Sequence, residues 1–442
     1  MRIKLSDHFT LKRLLKFVFP SIIMMIIISI YGVIDGFFVS NYVGKSAFSS
    51  LNLVMPFIMI LGGMGFMIGT GGSALVSKTL GQKENEKANK IFSMMIVFTT
   101  ILGLILSIIG IIFIRPVSYL LGASDEMIDN CVLYGRIVTS FTALFMLQNV
   151  FQSFLATAEK PKIGLIVTIA AGTTNAVLDY LFVAVFNFGL AGAAVATGIG
   201  QVVGGLIPLI YFILPNDSLL KLVKTKLSIK ELLAACANGS SELMSNVSSS
   251  IVGMVYNLQL MKYIGEDGVA IYGVLMYVQF VFVAIFIGYS IGTAPIVGYN
   301  YGATNYDELK NVRKKSIAIM FTTGITLSII AQLLAGTLAK IFVGYDQNLY
   351  VLTVHAFRIF SFAFILTGFN IFSSSFFTAL NNGAISALIA FLRTLVFQLG
   401  SVLMLPLIIS VDGIWLAICV AEVFATAISL FFMITKQKVY HY

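Results

Sequence analysis

Residues 91–114 read IFSMMIVFTTILGLILSIIGIIFI, twenty-four positions without one charged side chain. As a helix this run is about 36 Å long, enough to cross the roughly 30 Å hydrocarbon core of a bilayer. Residues 163–186, IGLIVTIAAGTTNAVLDYLFVAVF, repeat the pattern with Asp179 as their single charge. Neither run alternates apolar with polar residues, as the strands of a membrane barrel must. Lipid satisfies no backbone hydrogen bond, so the remaining spanning element is the α-helix. Composition agrees. The 442 residues are 58% hydrophobic and 11% charged, with a mean hydropathy of +0.96, whereas soluble domains carry about 25% charge.

The same reading along the chain predicts an all-α membrane protein with twelve transmembrane helices. They cover approximately 14–40, 48–77, 90–114, 127–157, 162–186, 191–214, 230–262, 268–298, 313–342, 348–380, 383–409 and 412–435. The opening MRIKLSDHFTLKRLLKF has no small-residue cleavage site and reads as a helix that leads into the first span.

The net charge of +9 would suggest nucleic acid in a soluble protein, but here it follows topology, and no nucleic-acid partner is expected. Twenty-one of the 28 Lys and Arg residues fall before Phe17, in alternate connections or after the last span. Four, Lys45, Arg115, Lys262 and Lys340, fall on the opposite side. Positive-inside topology then puts both termini in the cytoplasm, and the plasma (inner) membrane is the expected location of such a multi-pass chain. Cys131, Cys236 and Cys419 lack metal-ligand spacing, and His8, His355 and His441 are dispersed. No metal site beyond a possible Na+ is expected.

Features recur along the numbering at an offset near 221. Gly44 pairs with Gly265, Gly81 with Gly302, Gly192 with Gly413, Ala196 with Ala417, and Gln201 with Glu422. Around the third and fourth spans the offset is 222, pairing Gly122 with Gly344 and Arg136 with Arg358. The prediction is two six-helix lobes, 1–214 and 230–442, joined by a cytoplasmic linker at 215–229. An even number of spans per repeat gives both lobes the same orientation, related by a pseudo-twofold along the membrane normal. Two similar bundles across a cleft suit alternating access.

Four carboxylates fall well within spans: Asp35, Asp179, Glu242 and Glu422. A charge at that depth costs about 2.5–3.5 kcal/mol on insertion scales and marks a functional candidate. Asp35 lies 19 residues after Lys16 and Asp179 lies 17 after Lys162, so both sit about 26–28 Å from the inner surface. Two acids at one depth in one bundle form a pair suited to proton coupling. Tyr31 and Asn175 stand one helical turn before them. Asn149, Gln152, Thr197 and Gln201 are candidates for the first-lobe cavity. Glu242, near mid-membrane, is a candidate for attracting a cationic substrate. Glu422, Arg358 and Arg393 read as charges that neutralise one another structurally. The glycine run 62–72, GGMGFMIGTGG, lacks the lysine of a phosphate loop and reads as a helix-packing surface.

Taken together, YGVIDGFFVSNYVG, GGSALVSKTLGQKENEKA, ATAEKPK, NAVLDYLF, GLAGAAVATGIGQ and DGIWLAICVAE resemble the multidrug and toxic compound extrusion (MATE) family over nearly the whole chain. NGSSELMSNVSSSIV (238–252) and the DGIW segment are most similar to its MepA-like bacterial branch. The resemblance implies a V-shaped pair of lobes and a monomer in contact with membrane lipids. It also implies H+- or Na+-driven antiport of amphipathic, often cationic compounds, with the coupling ion in place of any cofactor. It assigns coupling to Asp35 and Asp179, with Tyr31, Asn149, Gln152, Asn175 and Thr197 around them. A second-half cation site of some relatives uses acids of the seventh and tenth spans. Here Glu242 fills the first position, but Thr367 stands at the second. The alternatives are a lipid-linked precursor flippase of the same superfamily, which requires a basic cavity, and a membrane-embedded enzyme, which requires a His/Asp/Glu constellation that is missing here.

Overall fold

A computed structural model of the protein describes residues 3–442, and among these every regular element is helical. In the first half, α1 (Leu11–Phe38), α2 (Lys45–Gly81) and α3 (Asn85–Leu120) precede a broken pair, α4 (Ile128–Ser140) and α5 (Thr142–Thr157). They are followed by α6 (Pro161–Asp179) and α7 (Gly189–Ile213). The second half repeats this order. α8 (Ile229–Tyr263), α9 (Glu266–Gly302) and α10 (Tyr306–Val343) precede a second interrupted pair, α11 (Gln347–Phe360) and α12 (Phe364–Ala379). Then come α13 (Gly383–Phe391) and α14 (Gln398–Met404), separated by one wide turn, α15 (Pro406–Thr435) and a short α16 (Gln437–Tyr440).

The backbone carries the repeat independently of the side chains. Left-handed conformations occur at Gly44 and Gly265, 221 apart, at Lys83 and Thr304, 221 apart, and at Glu159 and Asn381, 222 apart. Gly44 (φ 114°) and Gly265 (φ 78°) turn the chain from the first to the second helix of each half, with a positive φ that residues other than glycine rarely adopt.

Ten helices are long and apolar enough to cross a membrane, eleven when α4 and α5, bent by 55°, count as one span. The twelfth expected span, 230–262, falls on α8. Its 35 residues reach across, but the stretch NGSSELMSNVSSS leaves it too polar for that measure. Its main helix neighbours are α2 and α13, and Leu233, Ile251, Met254, Leu258 and Met261 form an exposed apolar side. The polar stretch lies between helices, where a continuous apolar surface is not needed.

The chain start differs from expectation. Residues 3–10 form a turned strap, and helix begins at Leu11, where the Thr10 side chain caps the Arg13 N–H. Leu5 and Phe9 are fully buried, so the strap is docked onto the bundle. The Leu5 N–H donates to Glu159 Oε1 (2.8 Å), in the first half, and the Phe9 N–H donates to Glu308 Oε1 (2.9 Å), in the second. The last residue, Tyr442, packs edge-on against Phe376 and under Arg313. Both termini therefore meet at the end of the molecule that carries most of the lysines, hereafter the basic end.

Glycines bring the halves together. A methyl group on Gly71 would overlap the Ala235 carbonyl oxygen of α8, and one on Gly239 would overlap the Met67 oxygen of α2. Within the first half, Gly65 and Gly69 lie against the backbones of Met146 and Val150 with similarly little room. The 62–72 run is thus a two-sided packing surface. Helix α1 is shared between the halves. Near its start Val18 and Ile22 face Gly292 and Gly288 of α9, whereas Tyr31 near its end packs on Gly172 of α6.

Candidate functional site

The two acids of the first half come together inside it. Asp35, on α1, is 5% exposed, and Asp179, the last residue of α6, is fully buried. They are close enough for each charge to act on the other, and Tyr134 of α4 neighbours both. Asn175 Nδ2 donates to Asp179 Oδ2 at 3.1 Å, and Thr197 Oγ1 approaches Asp35 Oδ1 at 3.4 Å. Asp179 Oδ1 makes no hydrogen bond, and neither does the Tyr134 hydroxyl. No ion pair among the described residues reaches either acid. A buried carboxylate oxygen left without a donor is an acceptor for a proton or a small cation.

Tyr31 does not touch either acid. Its hydroxyl donates to the Thr168 carbonyl of α6 at 3.0 Å, and its ring lies flat on Gly172, where a β-carbon would overlap the ring. It therefore fixes α1 against α6, and through the helix it fixes Asp35. The other first-half candidates are buried rather than cleft-facing. Asn149 Nδ2 donates to the Gly62 carbonyl, Gln152 Nε2 reaches Asn149 Oδ1 at 3.4 Å, and Gln201 Oε1 is buried without a donor. Thr197 is half-buried.

In the second half Glu422 accepts three contacts from Arg393, two from Nε at 3.0 and 3.1 Å and one from Nη2 at 2.7 Å. Asn370 Nδ2 adds a fourth at 2.6 Å, a residue that nothing in the sequence singled out. Arg358 takes no part. It is exposed, and its carbonyl accepts from Gln332. Thr367 is buried and bonds back to the Ala363 carbonyl. Glu242 stands apart from both clusters, half-buried on α8 with its carboxylate unbonded to any described residue. Its helix neighbours Leu243 and Asn246 make the outermost glycine contact with α2, at Gly63.

Tyr134 was missed because one tyrosine in an apolar helix carries no signal. Asn370 was within reach of the repeat, since at the 222 offset it is the counterpart of Gln148, a polar residue at the same place in α5.

The sequence model of the MatE family matches this chain twice, over residues 20–181 and again over 243–402. Multidrug export protein MepA of Staphylococcus haemolyticus is 25% identical over 435 residues, which covers 97% of this chain and 94% of that protein. The MepA of Staphylococcus aureus is 25% identical over 387 residues, covering 86% and 84%. The fold coincides with that of a MATE protein crystallised in complex with MaL6 (TM-score 0.93, 22% identical, 98% of both chains). It also coincides with an outward-facing MATE family transporter of the MOP superfamily (TM-score 0.92, 21% identical, 98% of this chain and 97% of that one). With the same pattern found once in each half, and most of the chain inside the two matches, the chain belongs to the MatE family.

Proposed function

We propose that the protein exports small amphipathic, often cationic compounds by alternating access, driven by H+ or Na+ exchanged at Asp35 and Asp179. The observation that carries this reading is the enclosed acid pair. Two carboxylates within electrostatic reach, with amide and hydroxyl partners but no basic residue, bear up to two uncompensated charges. Such a pair is stable in a low-dielectric interior only when it holds a proton or a cation. Its occupancy then biases how α1 and α6 pack, and α1 also contacts the other half through α9. In this way ion binding is linked to the relative position of residues 1–214 and 230–442, the two moving bodies of this proposal.

Orientation follows the charges. The basic end is cytoplasmic, so the structure has the geometry of a state closed toward the cytoplasm. The substrate class rests on the export proteins it resembles, and on Glu242 as a lone carboxylate beside the cleft. Purified protein in liposomes, with a proton or sodium gradient imposed separately, tests the reading. Asp35→Asn and Asp179→Asn should each abolish gradient-driven dye efflux while the protein stays monodisperse. Asp35→Glu should retain part of it. Efflux at the wild-type rate by both Asn variants would refute the assignment.

A further inference from the structure

The two halves treat buried charge differently at matching positions. At the 221 offset Asp35 corresponds to Tyr256. At 222, the offset between Pro161 and Gly383, Asp179 corresponds to Ser401. Neither acid of the first half is repeated. In the second half an acid appears instead at Glu422, the counterpart of Gln201 and one helical turn beyond Ile418, the counterpart of Thr197. Its base, Arg393, is the counterpart of Ala171, whose carbonyl lies against Gly200 beside Gln201. The second half thus holds an acid and a base where the first holds a neutral amide and a methyl group.

We propose that Arg393 is a built-in counter-ion that holds the Glu422 carboxylate in place of an exchangeable cation, so that the second half exchanges no ion and coupling is confined to the first. Confinement of coupling rests on the function proposed above; the pairing of Arg393 with Glu422 does not. Glu422 is 3% exposed and accepts from Arg393 through both Nε and Nη2. Asn370 Nδ2 reaches Glu422 Oε2, the Glu422 carbonyl and Thr426 Oγ1 at once, at 2.6, 3.0 and 3.1 Å. Oxygen atoms from a carboxylate, a carbonyl and a hydroxyl thus converge on the Asn370 amide nitrogen, while Arg393 bonds the carboxylate alone. A guanidinium never deprotonates in a protein, and its planar fork fits a carboxylate at two points. It therefore satisfies Glu422 in every step of a transport cycle, which an exchangeable ion does not.

Trp415 supplies the reporter. It is the single tryptophan of the chain, 2% exposed, on α15 two turns before Glu422. Other titratable groups on elements packed against α15 are Cys419 on α15 itself, Cys236, Glu242 and Tyr256 within α8, Lys230, Glu231, Lys262 and Tyr263 at its ends, Tyr350, His355 and Arg358 on α11, and Lys438 and Tyr440 on α16. His355 is paired with Asp412 at the far end of α15. All of these remain in every variant below, so a transition that follows Arg393 and Glu422 belongs to that pair.

Trp415 emission of the purified wild type should stay flat between about pH 5 and 9 and on addition of NaCl. Arg393→Gln should gain a transition with pH or with Na+, because an unpartnered buried carboxylate takes up one or the other. Adding Glu422→Gln should remove it, and Arg393→Lys should stay flat. A flat Arg393→Gln, or a wild-type transition that the double variant abolishes, overturns the proposal. Should Arg393→Gln fail to fold, the neutral double variant decides. Its efflux and its number of ions per substrate should match the wild type within about twofold, and a lower ion count would overturn the proposal. Failure of the coupling reading would show separately, as wild-type transport by the Asp35 and Asp179 variants, with the tryptophan signals unaffected.

Discussion

The seam between the halves is built from glycine-bearing helices along its whole length, yet its two ends differ. Toward the basic end the opposite backbone fills several glycines: Gly71 by Ala235, Gly81 by Tyr299, Gly302 by Lys78, and Gly288 by Ser21. The strap at residues 3–10 crosses the same end, bonded to Glu159 on one side and Glu308 on the other. Toward the far end, a β-carbon on Gly32 or Gly273 would have no atom within 4 Å, and Gly36 and Gly253 meet only Phe48 and Tyr272 of their own halves. Glycine content is thus no measure of contact. The same residue allows backbone contact at one end, and at the other leaves helix surface that no neighbouring helix covers. The difference shows which end is closed, and it can be tested from either side.

The largest expected effect is a lock. A β-carbon on Gly298 would lie 3.3 Å from the Ser77 β-carbon, close to the roughly 3.8 Å found across disulfides. With Cys131, Cys236 and Cys419 replaced, the pair S77C and G298C should oxidise readily, stop efflux and release it on reduction. Efflux that continues with the cross-link in place would mean the basic end never opens. Next is Gly71→Ala. Its methyl group meets a backbone carbonyl, which has little freedom to retreat, so the closed state should lose about 1–3 kcal/mol, a population shift of about 5–150-fold. Labelling of a cysteine at the basic end should rise accordingly. Gly32→Ala and Gly273→Ala have room, and should change stability by less than about 1 kcal/mol, in the direction of helix propensity.

Much of this was legible in the sequence and some was not, for identifiable reasons. Apolar length alone placed the helices, because bilayer thickness leaves few alternatives, and the glycine repeats were the signal for expecting two halves. The acids stood out because a charge within an apolar run is costly, and the structure brings Asp35 and Asp179 within reach of each other. The breaks at Phe141 and at Ser361–Ala363 were invisible, since neither contains proline or glycine and each lies inside one long predicted span. The strap was expected as helix because Lys4 and Leu5 suit either state. Its buried partners are remote in the chain, Glu159 from Leu5 and Glu308 from Phe9. Asn149, Gln152 and Gln201 were expected near a cavity but are buried between helices, a choice that polarity alone does not make.

Glu242 sits where the closed and open parts of the seam divide, next to the last close contact at Gly63. If the cleft begins there, Glu242→Gln should raise the KM for a cationic dye about tenfold, equivalent to ~1.4 kcal/mol, and leave a neutral substrate unchanged. Equal losses for both dyes would place Glu242 in the structure of the seam rather than in substrate attraction.

The smallest effects concern the strap, and they separate two ways of holding it. Glu308 is nearly buried and accepts from the Phe9 N–H, from His8 Nδ1 at 2.6 Å and from Asn311 Nδ2 at 2.8 Å, while Lys315 Nζ holds the Phe9 carbonyl at 2.7 Å. His8 itself has a side chain 68% exposed. An exposed ion pair contributes about 0.2–1 kcal/mol at most, whereas weakening a buried acceptor of a backbone N–H costs about 1 kcal/mol or more. Glu308→Gln should therefore speed hydrogen exchange at Phe9 by several-fold, and His8→Ala should barely change it. Equal acceleration in the two variants would mean that the histidine carries the attachment, so that closure at this end depends on the pH around it. A difference in the expected direction assigns closure to backbone capture, the same physics that operates at Gly71 and Gly239 deeper in the seam.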